Sequence, residues 1–120
     1  MARILAVDDS PSMRQIVGMT LQSAGHEVVV ASDGDEALEF ARREPVDLVI
    51  TDVNMPNMDG ITLVRELRRL DSYRFTPLLV LTTEASTEKK LEGKSAGATG
   101  WVAKPFNPDR LLATVAKVLV

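Results

Sequence analysis

Two carboxylates stand side by side where a short apolar run ends, in the stretch Ile4-Leu5-Ala6-Val7-Asp8-Asp9. Like charges so placed repel each other and resist desolvation. A third acid, Asp52, follows the apolar run at residues 46–51, and Thr82 with Thr83 follows residues 78–81. Lys104 and Pro105 follow residues 101–103. Three acids brought together need a compensating cation, and one lysine cannot neutralise them. An all-oxygen donor set suits Mg²⁺ or Mn²⁺, and Mg²⁺ takes few protein ligands plus water and phosphate oxygens. A divalent ion beside a carboxylate, with an ammonium and a hydroxyl nearby, is equipment for phosphoryl transfer. The carboxylate itself can be the nucleophile, giving an aspartyl phosphate. Asp52 is the natural candidate, because it ends a central run alone while Asp8 and Asp9 are left to hold metal.

For these groups to meet, the chain must bring four run ends to one edge. Five short apolar runs recur, at residues 4–7, 28–31, 46–51, 78–81 and 101–103. Three of them are nearly continuous rather than alternating, as in strands buried on both faces of a parallel sheet. Between them lie segments of helical period with start signals. Ser10 and Pro11 read as N-cap and first helical residue, with Met13, Ile16, Val17, Thr20, Leu21 and Ala24 on one stripe and Gly25 closing. Asp33 caps a second helix with Ala37, Leu38 and Ala41 inward; Leu63, Leu67 and Leu70 mark a third. Ser86 or Thr87 starts a fourth that ends near Gly97, and Asn107-Pro108-Asp109 opens a fifth. Five strand–helix units predict a (βα)5 doubly wound, five-stranded parallel α/β sheet with right-handed crossovers and helices on both faces. Ligands of such sheets bind outside the carboxyl ends of the strands, where the acids, the hydroxyl and the lysine lie.

Bulk properties bound the rest. The chain has 120 residues, 45% hydrophobic and 26% charged, which is an ordinary composition for one globular domain. A net charge of −3 gives no reason to expect nucleic acid or an anionic membrane as partner. There are no cysteines, which excludes disulfides and thiolate zinc sites. No apolar run could span a bilayer or serve as a signal-peptide core. These features predict a soluble cytoplasmic protein of one domain, residues 1–120, with no attached output domain.

Four motifs, AVDDS, VITDVNMPNMDG, LTTEA and AKPF, fall in order on the strand ends. Together they resemble the receiver domain of two-component response regulators, most closely the stand-alone chemotaxis regulators of the CheY type, over the whole chain. The resemblance implies the flavodoxin-like strand order 2-1-3-4-5. It implies Asp52 as phospho-acceptor, Asp9 as direct and Asp8 as water-mediated Mg²⁺ ligands, and the Asn54 backbone carbonyl completing the site. It implies that Thr82 and Lys104 bond the acyl phosphate and that the Lys104-Pro105 bond is cis. A phosphohistidine on a chemotaxis-type histidine kinase would be the donor. Thr82 and the aromatic at Trp101 would then move, and the surface of the fourth helix, fifth strand and fifth helix would bind a target such as the flagellar motor switch. The protein would act as a monomer without binding DNA or entering a membrane. Asn54 and Glu84 flank the site in chemotaxis-like fashion and imply a short phosphate lifetime.

Trp101 departs from the tyrosine common in chemotaxis regulators; an indole is bulkier and only donates, so its inward rotamer is harder to accommodate. The fourth helix has Leu91 as its only large apolar residue and should be weakly anchored. The fifth has more apolar residues than one buried face needs, which predicts a partner face. His26 reads as an exposed turn residue, and Met55 and Met58 as loop packing. Glu92-Gly93-Lys94-Ser95 is no phosphate-binding loop, because Glu88 stands where its first glycine should be. Other uses of the same chemistry are a phosphorelay intermediate, a phosphate sink, or a Mg²⁺-dependent aspartyl-phosphate phosphatase. Adjacent Asp8 and Asp9, and a chain too short for a substrate cap, weigh against the phosphatase.

Overall fold

A computed structural model describes residues 2–119. Its elements alternate as β1 (Arg3–Val7), α1 (Pro11–Ser23), β2 (Glu27–Ala31), α2 (Gly34–Arg43), β3 (Leu48–Thr51) and α3 (Gly60–Arg68). A 3-10 turn (Asp71–Tyr73) precedes β4 (Leu78–Thr82), α4 (Thr87–Ala96), β5 (Gly100–Ala103) and α5 (Pro108–Val118). The five strands are parallel in the order β2-β1-β3-β4-β5, as the resemblance implied. No described helix is long and apolar enough to cross a membrane.

Each long helix starts where a side chain can accept an orphan N–H. Ser10, Asp33, Asp59, Ser86 and Asn107 each accept from the backbone N–H three residues on, a contact that typically contributes about 1 kcal/mol. Pro11 and Pro108 stand at first helical positions, where no intrahelical donor is lost.

Alternation along the strands divides the core in two. Ile4, Ala6, Leu48, Ile50, Leu79 and Leu81 face α1 and α5, meeting Val17, Leu21, Leu111 and Val115. Leu5, Val7, Val49, Leu78 and Val80 point the other way, toward α2, α3 and Ala96 of α4. Full burial of each Leu, Ile or Val in these layers contributes about 1.5–3 kcal/mol relative to exposure.

Four local expectations need correction. Residues 46 and 47 lie outside β3, although Val46 is buried and the Asp47 N–H donates to the Arg3 carbonyl at 2.8 Å; the Arg3 N–H goes to the Asp47 side chain, so the regular ladder opens at Leu48. Ile16 and Ala24 face solvent instead of the core, because the buried stripe of α1 is narrow and runs through Val17, Gly18 and Leu21. His26 is half-buried, and its Nδ1 accepts from the Ala2 N–H at 3.2 Å. The apolar surplus of α5 is largely spent on the core, since Leu112, Val118 and Leu119 pack against it beside Leu111 and Val115. The fourth helix is as sparsely anchored as its composition implied, burying only Gly93 and Ala96 while Leu91 stays 60% exposed.

Candidate functional site

Strand register positions the acids. Val7 pairs with Thr51 across β1 and β3, so Asp8 and Asp52 leave adjacent strands side by side. The Asp52 N–H donates to the Val7 carbonyl at 3.0 Å, which fixes that alignment. On the far side Ala103 pairs with Thr82, and the Lys104 N–H donates to the Thr82 carbonyl at 2.9 Å. The Lys104-Pro105 peptide bond is cis.

Lys104 closes the cluster. Its Nζ donates to Asp8 Oδ2 at 2.6 Å and to Asp52 Oδ2 at 3.1 Å. The second oxygen of each acid is held by the backbone: Ser10 N–H donates to Asp8 Oδ1 at 2.9 Å, and Val53 N–H to Asp52 Oδ1 at 2.7 Å. Such charge-assisted bonds orient both carboxylates. Burial pulls the lysine toward its neutral form, but the hydrogen bonds and charges of Asp8 and Asp52 outweigh it and hold the ammonium above its ordinary pKa.

Asp9 is exposed, and one carboxylate oxygen from each of Asp8, Asp9 and Asp52 lies within 4.8 Å of the others. Three hard oxygen donors facing a single ammonium leave a net negative cluster, which fits Mg²⁺ or Mn²⁺. Asn54 is exposed on the loop leaving β3, and Pro105 is exposed beyond β5.

Thr82 is fully buried, and its Oγ1 accepts from the Glu84 N–H at 3.2 Å. Trp101 is half-buried, and its Nε1 donates to the Glu84 carbonyl at 3.0 Å. One residue of backbone therefore joins the two expected switch positions, its N–H bound to Thr82 and its carbonyl to the indole.

A family model described as "Response regulator receiver domain" matches residues 4–116. The chain belongs to this family. A solved structure of the chemotaxis protein CheY4 of Vibrio cholerae superimposes on the receiver with a TM-score of 0.94 at 57% identity, covering 98% of each chain. Protein PilH of Pseudomonas aeruginosa is 35% identical over 119 residues, which is 99% of this chain and 98% of that protein. The receiver domain of sensor histidine kinase PA1611 of Pseudomonas aeruginosa, solved with a magnesium ion coordinated in its active site cleft, gives a TM-score of 0.92 at 29% identity and covers 98% of this chain and 97% of that one. The receiver spans about half the length of other curated relatives it matches.

Two residues that frame the receiver's cleft escaped the sequence reading. Arg14 Nη1 donates to the Asp8 carbonyl at 2.7 Å and lines a cavity of about 10 Å³ with Asp8 and Asp52. The only available signal was its place in the first turn of α1, one turn past Ser10. Gly60 opens α3 so close to β3 that a methyl group there would sit 1.8 Å from the Asp52 carbonyl oxygen. Glycine is needed at that approach.

Proposed function

We propose that this receiver is a phosphorylation switch in which Asp52 takes a phosphoryl group from a phosphohistidine on a chemotaxis-type histidine kinase. The observation that carries the reading is the placement of Lys104 between Asp8 and Asp52, with Asp9 completing a three-acid cluster. An Asp52 oxygen attacks phosphorus; the O–P bond forms as the P–N bond breaks. The electron pair stays on the imidazole nitrogen, which takes up a proton. The carboxylates of Asp8, Asp9 and Asp52 and the backbone carbonyl of Asn54 would hold Mg²⁺, or Mn²⁺, which neutralises charge on the transferring phosphoryl oxygens.

After transfer, Lys104 exchanges the Asp52 carboxylate for a phosphoryl oxygen, and its ammonium, kept charged by its surroundings, pairs with the new negative charge. The Thr82 hydroxyl turns from the Glu84 N–H to donate to the phosphate. The Glu84 peptide loses one tether and the β4–α4 loop shifts, carrying Trp101 with it. The α4–β5–α5 face then presents a different surface to a protein target, such as a flagellar motor switch. The 57% identity to the chemotaxis protein CheY4 supports a role in chemotaxis or motility control.

Acetyl phosphate with Mg²⁺ tests the reading by intact mass. One phosphoryl group is expected on the protein and none on Asp52→Asn. Uptake that persists in Asp52→Asn overturns it.

A further inference from the structure

We propose that Gly93 is a positioning residue: its missing side chain admits the Trp101 indole between α4 and β5 and so sets where the indole stands. Gly93 is buried in the interior of α4, a place where glycine costs backbone entropy and alanine would ordinarily be preferred. A methyl group there would lie 2.7 Å from Cζ3 and 3.2 Å from Cε3 of Trp101. Contact at 2.7 Å is well inside the van der Waals limit, so something must yield. Although sparsely anchored, the helix is capped at its start and tied to α3 just past its end. Ser86 caps its start, accepting from the Lys89 N–H at 3.2 Å, and Arg68 Nε donates to the Gly97 carbonyl past its end at 3.0 Å. The clash falls on the outer edge of the indole, which can swing about its side-chain bonds. The ring therefore moves, and the Nε1 bond to the Glu84 carbonyl goes with it.

Two consequences separate this role from ordinary helix packing. The indole forms one wall of a groove of about 230 Å³ whose other lining includes Lys90, Lys94, Ala98 and Thr99. Its position therefore decides the shape of that groove. Gly18, buried in α1, provides the contrast, because nothing lies within 4 Å of a methyl group built there. Alanine at position 18 should follow the helix rule, and alanine at 93 should break it. The effect on switching rests on the function proposed above; the placement of the indole does not.

The test uses unphosphorylated protein without Mg²⁺, so it stands even if Asp52 never accepts a phosphoryl group. Trp101 is the only tryptophan, which makes its emission a direct reporter. Gly93→Ala is expected to shift the emission to the red, increase acrylamide quenching and lower the thermal midpoint. Gly18→Ala should leave the emission unchanged and raise the midpoint. In a Trp101→Ala background, Gly93→Ala should raise the midpoint too, because the clashing ring is gone. If Gly93→Ala raises the midpoint by the same amount in both backgrounds and leaves the emission unchanged, Gly93 does not position the indole.

Discussion

The ammonium of Lys104 sits between two acids from different strands, 2.6 Å from Asp8 Oδ2 and 3.1 Å from Asp52 Oδ2. Asp8 is 6% exposed, so the contact is largely desolvated. Lys104→Met would leave these carboxylates facing each other with no cation between them. Breaking a buried pair by removing one partner costs about 3–5 kcal/mol. A loss near the lower bound is expected by urea denaturation at pH 7 without metal. Added Mg²⁺ should recover part of it, since a ligand that binds only the folded state stabilises by mass action. A variant as stable as the parent would show that Lys104 does not hold the acids.

The same contact gives a pH dependence whose sign is fixed. Burial lowers the lysine's proton affinity, yet Asp8 and Asp52 raise it further, so the folded pKa lies above the ordinary 10.5. Its contribution to stability is full below 10.5 and is lost as pH rises through the higher folded value. Tyr73 acts in the same window. Burial raises its pKa above the ordinary 10.0, against a smaller lowering from a backbone hydrogen bond at Val46. Its hydroxyl lies 2.7 Å from the Ala41 carbonyl and 2.9 Å from that of Glu44, contacts that require the proton. Urea midpoints should therefore fall at alkaline pH, beginning above about 10, and fall less steeply in Tyr73→Phe.

Metal should stabilise the folded chain in proportion to its acids. At a free Mg²⁺ concentration 100 times the dissociation constant, the gain is about 2.7 kcal/mol. Differential scanning fluorimetry should show a midpoint that climbs with Mg²⁺. Asp9→Asn should remove most of that climb while leaving the metal-free midpoint nearly unchanged, because Asp9 is exposed.

Arg68 is a half-buried cation whose hydrogen bonds run mainly to carbonyls. It donates to Tyr73 and Thr76 at 2.7 Å each and to Gly97 at 3.0 Å, tying the end of α3 to the end of α4. Burial lowers its pKa. Arg68→Met should cost about 2 kcal/mol by leaving these acceptors unpaired. Lysine should not restore it, because a single ammonium cannot span the guanidinium's fork. Hydrogen exchange should accelerate at Gly97 and Ala98, whose N–H groups donate to the Gly93 carbonyl at 3.2 and 3.0 Å.

The sequence alone was enough for the five strand–helix units, because their signals are local. A continuous apolar run, a cap residue or a proline at a helix start acts within a few positions. It also singled out Asp8, Asp9, Asp52, Thr82 and Lys104, because strand ends in this architecture share one edge, and Trp101 through the family resemblance alone. Tertiary structure decided what each of these groups touches. That Lys104 lies against both Asp8 and Asp52 depends on register across four strands. That the Glu84 peptide joins Thr82 to Trp101 depends on how one loop lies beside β5. The places of Arg14, Gly60 and Gly93 were invisible for the same reason. A distant contact carries no signature in the residues around it: nothing near Gly93 announces a ring eight positions later, and only the packing of α4 on β5 brings them together.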